Sequence, residues 1–250
     1  MKIISILLLL NLNLTYAKDL NKCKQLYINI LKNSSLNTWC EKIDAWKTNK
    51  VYCVERGSYE YYLADAYEQS GNRNEARRIL LKAVSNSNKK YRQWILFELA
   101  SLEFNLHKLN SCINHVNILI REFSRWVGGY AIKASCELEK RNYKSAIENF
   151  ERSNSIEKTS GAYEELTLAY YSLKKYRESL NAFNQSAKMN IEIFRKKDFV
   201  LCAVYSAFRL KEYYEAENLL DKLKQNIPNI IHDPDYQKAQ SILTSLKKDK

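Results

Sequence analysis

A small residue followed four positions later by a large apolar residue recurs five times along the chain. These pairs are Ala76 with Leu80, Cys112 with Val116, Ala146 with Phe150, Ser179 with Phe183, and Ala216 with Leu220. The small residues are separated by 36, 34, 33 and 37 positions in turn, which is a period typical of helical-hairpin repeats. The pattern therefore predicts a series of similar helical units.

Another small residue lies twelve positions before each of these small residues. This second set comprises Ala64, Ala100, Ala134, Thr167 and Val204. Small side chains allow two helices to approach closely, so each unit is predicted to contain two helices that meet at a small-on-small contact. The large apolar residues are then expected to fill the space between units.

These positions resemble the tetratricopeptide repeat, whose pattern places a Leu-small pair and a Tyr in the first helix, then Gly, Tyr, Ala and Phe in or before the second. The first unit matches at Leu63, Ala64, Tyr67, Gly71, Ala76, Leu80 and Ala83. The fourth matches at Leu166, Thr167, Tyr170, Tyr176, Ser179, Phe183 and Ser186, and the third at Ala134, Tyr143, Ala146, Phe150 and Ser153. The second and fifth units are degenerate, with Glu103, His107, Ala207 and Lys211 where the family prefers Tyr and Gly.

The resemblance implies an all-α fold, a right-handed α-α superhelix of about five helical hairpins with terminal capping helices. We expect repeats at residues 57–92, 93–126, 127–159, 160–196 and 197–229, an N-terminal helical cap at 18–56, and a C-terminal capping helix with a basic tail at 230–250. The sequence Asp233-Pro234 is typical of a helix N-cap followed by proline at the first helical position. Five glycines fall at the expected breaks between helices: Gly57, Gly71, Gly128, Gly129 and Gly161.

The first 17 residues predict export. Lys2 precedes an apolar run from Ile3 to Leu10, and Ala17 follows two residues after Thr15, as in a cleaved signal peptide. The run is too short to span a bilayer, and no later stretch is apolar enough. We therefore expect a periplasmic or secreted protein without a transmembrane segment after cleavage.

Export places the six cysteines in an oxidising compartment. If a helical turn centres near Ser124 and Arg125, antiparallel folding brings Cys112 opposite the residue next to Cys136, and the two can form a disulfide. The alternative is that both are buried hydrophobic residues that never react. Cys23, Cys40 and Cys53 are expected to supply a second bond, leaving Cys202 free.

The net charge of +12, from 40 Lys and Arg against 28 Asp and Glu, suits an acidic partner or an anionic surface. Contact with an anionic envelope surface stays open, whereas export argues against nucleic acid. With 46% hydrophobic residues and only 5 Gly and 2 Pro, the chain is predicted to fold rather than to be disordered.

The resemblance also implies a concave groove lined by the first helices, where family members bind an extended peptide or a partner's helix. Mapped through the family pattern, the candidate groove residues are Tyr61, Asp65, Glu68, Trp94, Phe97, Phe104, Glu164, Tyr171, Tyr205 and Phe208. An aromatic or apolar peptide with a basic residue near Asp65, Glu68 or Glu164 fits them. The alternative is that these aromatic residues belong to the core.

No catalytic arrangement is evident. Cys112 and His115 share a helical face, as a thiol and its base could, but Cys112 also occupies a small packing position. Neither a metal site nor a cofactor is predicted. We therefore expect a non-catalytic scaffold or adaptor of the cell envelope that binds a peptide or partner protein. The alternative is an exported protein that binds cell wall or polyanions, or assists a hydrolase, through its basic surface.

Overall fold

The computed structural model of the protein describes residues 22–50, 53 and 55–248. These residues form thirteen α-helices and two short 3-10 helices, at Ile191–Arg195 and Pro228–His232, and contain no β-strand. The α-helices are α1 (Lys22–Lys32), α2 (Trp39–Thr48), α3 (Ser58–Gln69), α4 (Arg73–Asn86), α5 (Lys89–Asn105), α6 (Leu109–Glu122), α7 (Val127–Glu139), α8 (Tyr143–Ile156), α9 (Ser160–Ser172), α10 (Tyr176–Met189), α11 (Lys197–Arg209), α12 (Tyr213–Asn226) and α13 (Pro234–Lys248). The predicted all-α class is confirmed. The predicted signal peptide lies outside the described residues.

Consecutive helices pack as antiparallel hairpins through the predicted small residues. The pairs α3 with α4, α5 with α6, α9 with α10, and α11 with α12 each make extensive contacts. In the fourth hairpin Thr167 and Ser179 are both fully buried, and the Ser179 hydroxyl donates a 2.9 Å hydrogen bond to the main-chain oxygen of Thr167. The small side chains therefore set the close approach of the two helices, as the sequence pattern predicts.

Each hairpin turn uses the same backbone conformation. Gly71 has a φ of 84°, and four non-glycine residues at the equivalent point also have positive φ values between 54° and 61°: His107, Arg141, Lys174 and Lys211. In each turn the two amides after the helix bond back to its last carbonyls, as Lys174 does to Tyr171 and Lys175 to Tyr170, both at 2.9 Å. This is a Schellman motif. The motif ends every first helix, and only the first unit provides glycine for it.

The predicted helix breaks at the other glycines are partly wrong. Gly57 does precede α3 as its N-cap, but Gly128 and Gly129 lie in the first turn of α7 and Gly161 in that of α9. At Gly128 an added Cβ would lie 2.4 Å from the Phe97 ring. Close packing of α7 against that ring explains this glycine, and a chain break does not.

The chain divides into an N-terminal unit that ends at Cys136 and a C-terminal unit that begins at Glu137. In the N-terminal unit, Trp46 of α2 is buried beside Tyr27 of α1 and Tyr62 of α3, at ring-centroid distances of 5.2 and 5.9 Å. Such aromatic pairs contribute about 1 kcal/mol each beyond their burial. This cluster holds the first hairpin, α1 and α2, against the repeats.

Two disulfides lie in the N-terminal unit. The predicted Cys112–Cys136 pair is at bonding distance, with an S–S separation of 2.11 Å, and links α6 to α7. A second bond, at 2.15 Å, joins Cys23 of α1 to Cys53. Of the three N-terminal candidates Cys40 is therefore left as an exposed free thiol, and Cys202 is also free, as predicted.

The C-terminal unit is closed by the two 3-10 helices and α13. Ile193 and Phe194 of the first 3-10 helix and Ile230 of the second are buried in the same core as α11 and α12. The side chain of Asp233 accepts hydrogen bonds from the amides of Asp235 and Tyr236, which is the predicted N-cap of α13. Tyr236, Ala239 and Leu243 then bury one face of α13 in this core.

Candidate functional site

The first helices of the N-terminal unit bring an acidic and aromatic surface together. We define the N-terminal face as Tyr27 of α1, Tyr61, Asp65 and Glu68 of α3, and Glu98 of α5. Asp65 and Glu68 are three residues apart and share one side of α3. The Tyr27 hydroxyl donates a 2.6 Å hydrogen bond to the Asp65 carboxylate, which also accepts from Gln69 at 3.3 Å. These bonds fix the position of the Asp65 carboxylate.

Glu98 is a partly buried carboxyl group without a compensating cation. Burial, and then the charges of Glu68 and Asp65, raise its pKa to about 8. Burial and Asp65 also raise the pKa of Glu68, while Arg73 opposes this shift. Among the described residues Glu98 makes neither an ion pair nor a hydrogen bond. Three carboxyl groups therefore lie near one another here, an arrangement that disfavours the ionised forms of Glu98 and Glu68.

Tyrosine rings surround these acids. The Tyr61 ring lies 5.0 Å from the Tyr62 ring and 6.1 Å from the Tyr91 ring, measured between centroids. Burial, and then Glu98 and Asp65, raise the pKa of Tyr61 well above its ordinary value. Tyr61 is therefore neutral in the physiological range, and its ring offers a π surface next to carboxylates. Both features attract a cationic side chain.

Two other predicted groove residues of this unit serve mainly in packing. Phe97 is only 7% exposed, and its ring and that of Trp94 contact the Trp126 ring at centroid distances of 6.0 and 4.7 Å. Phe104 packs against the same core at partial exposure. Trp94 stays half-buried at the edge of this cluster. The core alternative therefore describes Phe97 better than the groove prediction does.

The candidate thiol, Cys112, and the candidate base, His115, each contact a different partner. Cys112 is disulfide-bonded to Cys136, and His115 Nδ1 lies 2.7 Å from Oε2 of Glu103. The other oxygen of Glu103 accepts two hydrogen bonds from the Arg77 guanidinium, at 2.7 and 2.9 Å. Glu103 is fully buried. The departure from the repeat pattern at position 103 is therefore an ion-pair network that joins α4, α5 and α6.

The corresponding surface of the C-terminal unit is aromatic. We define the C-terminal face as Tyr171 of α9 with Cys202, Tyr205 and Phe208 of α11, all of them half-buried. The Tyr205 and Phe208 rings are 5.9 Å apart. Burial and Asp198 raise the pKa of the Cys202 thiol to about 12, so this thiol stays protonated. The face presents rings and a neutral thiol.

The acid predicted for this face is not accessible. Glu164 is 2% exposed, and its carboxylate accepts a 2.5 Å hydrogen bond from Lys196, which lies just before α11. The pair neutralises itself inside the protein. Glu164 therefore does not belong to the surface that a peptide could reach.

Sequence reasoning missed Glu98 and Tyr27. Glu98 directly follows the predicted groove residue Phe97, so a helical face one position wider would have included it. Tyr27 lies in the cap, where no repeat pattern assigns inward positions. Within the described chain, no group of three or more His, Cys, Asp or Glu side chains could hold a metal ion.

None of the helices described by the structure has the length and apolar character needed to cross a membrane.

Neither a protein-family model nor a curated protein matches the sequence. Solved structures of repeat proteins do match. MamA from Desulfovibrio magneticus RS-1, from residue 41 to its end, is 15% identical, with 71% of this chain and 97% of that one covered and a TM-score of 0.61. YrrB, described as a tetratricopeptide-repeat protein with an unusual peptide-binding site, is 12% identical, with coverages of 68% and 93% and a TM-score of 0.54.

A chain of the Cut9–Hcn1 hetero-tetramer of APC/C is 12% identical over 89% of this chain, with a TM-score of 0.65. The match covers 43% of that chain, so this protein spans less than half of its length. At such low identity the likeness concerns the fold. The chain has the tetratricopeptide-repeat fold, which confirms what the sequence pattern implies.

Proposed function

We propose that this protein is a non-catalytic scaffold that binds an extended segment of a partner polypeptide on the first helices of its repeats. The N-terminal face binds a segment that carries a lysine or arginine side chain, and the C-terminal face, taken by itself, binds apolar or aromatic side chains. Repeat proteins of this fold present the first helices of successive hairpins side by side, which suits an extended ligand.

The observation that carries the proposal is the group of carboxyl side chains at Asp65, Glu68 and Glu98 beside the Tyr61 ring, in which Glu98 has no ion-pair partner among the described residues. Burial, and then the charges of Glu68 and Asp65, raise the pKa of Glu98 to about 8, so the free protein disfavours the ionised form of this group. A cationic side chain placed among these carboxyl groups would stabilise that ionised form and gain cation–π contact with the tyrosines. The binding free energy then includes the relief of a penalty already present in the free protein.

The composition of the C-terminal face supports the apolar part of the proposal. Tyr171, Tyr205 and Phe208 are half-buried rings, and aromatic side chains are enriched at the centres of protein interfaces. With Glu164 already paired to Lys196, this face offers no glutamate to a cation. The C-terminal face is therefore expected to select apolar or aromatic side chains, and the N-terminal face basic ones.

Binding should depend on pH. A bound cation lowers the pKa of Glu98, so the complex releases a proton when it forms. Affinity is expected to rise as pH increases from 6 to 8, and to level off above the pKa of the free protein, which is about 8. A ligand that contacts only the aromatic rings would show no such rise.

The test is selection of random dodecapeptides on the immobilised full chain. We expect enrichment of peptides with a lysine or arginine beside aromatic residues, and replacement of that lysine by norleucine should weaken binding at least tenfold. The double variant Asp65→Asn/Glu98→Gln should do the same, because it removes the charges and keeps the shapes. Glu60→Gln is the matched control, because Glu60 also lies on α3, next to Tyr61 in sequence, but does not belong to the N-terminal face.

Two results would contradict the proposal: selected peptides without basic residues, or peptides whose affinity is the same for Asp65→Asn/Glu98→Gln and for Glu60→Gln.

The cellular location of the protein is a separate prediction. Export to the periplasm or medium is supported by the composition of residues 1–17 and is compatible with the two disulfides. Mass spectrometry of the exported protein should find a chain that begins at Lys18.

A further inference from the structure

The C-terminal unit has a cleft that shares no residue with the C-terminal face. In this unit, α10 and α12 flank the turn between α11 and α12 and line an open surface cleft of about 560 Å³. Buried Leu180 of α10 lies in its lining. An ion pair between Arg177 and Glu212 links the two sides. The cleft is thus built mainly by second helices, and the faces proposed above are built by first helices.

Two asparagine side chains in the cleft have unused hydrogen-bonding groups. Asn181 and Asn184 lie three residues apart on α10, so they share one side of the helix. Neither amide makes a hydrogen bond to any residue in the described part of the chain. Each offers one acceptor and two donors. The cleft therefore presents donors and acceptors together.

Tyr214 adds an exposed aromatic ring. It lines the cleft from the first turn of α12, and at 84% it is the most exposed of the large hydrophobic side chains that the structure describes. The charges of the lining balance, because Arg177 and Lys211 are matched by Glu212 and Glu215. A neutral ligand with amide-like groups and an apolar side chain complements this lining.

We propose that this cleft is a second protein-docking site, which binds a neutral, extended peptide segment through Asn181, Asn184 and Tyr214. The asparagine amides pair with the N–H and C=O groups of the peptide backbone, and an apolar side chain of the peptide packs on the Tyr214 ring. Tyrosine and arginine, both present here, are the residue types enriched in interface hot spots. The protein would then hold two polypeptides at once, one on each set of helices.

The site stands independently of the proposed function, so its test must avoid peptides that bind the N-terminal face. Random dodecapeptides are therefore selected on the full-length Asp65→Asn/Glu98→Gln variant, and the enriched peptides are measured by fluorescence anisotropy. We expect at least a tenfold loss of affinity in Tyr214→Ala and in Asn181→Ala/Asn184→Ala. All three side chains lie on helix surfaces, and alanine favours helix, so circular dichroism should show unchanged folding.

The chain offers a matched control. Asn114 and Asn117 of α6 are likewise three residues apart on a second helix, and both are exposed, but they do not line the cleft. Asn114→Ala/Asn117→Ala should bind the selected peptides as tightly as its parent does. The proposal is overturned if no peptide is enriched, or if the control pair weakens binding as much as the cleft pair. Tyr214-dependent retention on an array of neutral oligosaccharides, without peptide binding, would assign the cleft to glycans instead.

Discussion

The two units carry similar aromatic residues on their first helices but treat their acids in opposite ways. In the N-terminal unit Glu98 lies near Asp65 and Glu68 without an ion-pair partner among the described residues, and its pKa is about 8. In the C-terminal unit Glu164 is buried and bonded to Lys196. The same fold therefore has a carboxyl group without an ion-pair partner in one unit and a buried, ion-paired one in the other.

The units also differ in covalent linkage. Both disulfides of the described chain lie in the N-terminal unit, whereas the C-terminal unit closes with 3-10 helices and α13. The unit in which Glu98 has no ion-pair partner is thus also the unit with the disulfides. Uncompensated charge lowers its stability, and the disulfides act in the opposite direction by restricting its unfolded states.

The largest predicted effect follows from removal of these bonds. Cys112→Ser/Cys136→Ser should lower the free energy of unfolding of the N-terminal unit by about 3 kcal/mol, since the bond closes a loop between residues 24 positions apart. Hydrogen exchange should show lost protection in α1–α6 and unchanged protection in α9–α13. Cys202→Ser is the control. Equal loss of protection in both units would contradict the division.

A second prediction concerns the concealed acid. Lys196→Met should cost about 3 kcal/mol of unfolding free energy at pH 7, because it leaves the buried Glu164 carboxylate unpaired. Adding Glu164→Gln to this variant should restore much of the loss, which urea denaturation can measure. If Lys196→Met is nearly neutral, Glu164 reaches water and the C-terminal face is acidic after all.

Replacement of Glu98 should change stability in the opposite direction, because this acid has no ion-pair partner to lose. A carboxyl group whose pKa is higher in the folded than in the unfolded state binds protons more tightly when folded. The group therefore lowers the free energy of unfolding as pH rises from its ordinary pKa of 4.5 to about 8. Above that pH its contribution to the free energy of unfolding is constant. Glu98→Gln should thus stabilise the protein by about 2 kcal/mol at pH 9 and leave it unchanged at pH 4.

Urea denaturation at both pH values would measure this difference. Glu60→Gln, elsewhere on the first helices, should show no such pH dependence. A Glu98→Gln variant that is less stable than the parent at pH 9 would mean that a partner compensates the Glu98 charge, and the comparison between the units would fail.

The sequence was sufficient where the cause is local. The twelve-residue spacing of small residues predicts the hairpins because two adjacent helices must meet there, and the same geometry predicts the Cys112–Cys136 pair. The charges could not be predicted in this way. Glu164 meets a lysine 32 residues later, in a connection lengthened by a 3-10 helix, and Glu98 depends on how α5 packs beside α3. Neither distance is visible in a repeat pattern.

Glu103 is a further position whose contacts the repeat pattern does not predict. In the sequence it is only a poor match to the repeat. In the structure it is a buried carboxylate bonded to Arg77 and His115, which lie 26 residues before it and 12 residues after it. A position that departs from the family pattern can thus be stabilised by contacts that the pattern does not describe.

The smallest predicted effect tests a feature that the two units share, the left-handed residue at each hairpin turn. Gly71 takes this conformation in the N-terminal unit and Lys174 in the C-terminal unit, with φ values of 84° and 59°. A side chain makes the conformation cost about 1 kcal/mol more than it does for glycine. Lys174→Gly should therefore stabilise the protein by about 0.5 kcal/mol after the greater entropy of unfolded glycine is subtracted.

The reverse change in the other unit completes this test. Gly71→Ala should destabilise by about 1 kcal/mol through the backbone alone, because no atom lies within 4 Å of the added Cβ. Lys175→Gly, at an ordinary φ of −86°, should destabilise and serves as the neighbouring control. Opposite signs at Lys174 and Gly71 in thermal denaturation would show that both units use one turn with one backbone cost. Stability changes of the same sign would mean that the backbone cost differs between the two turns.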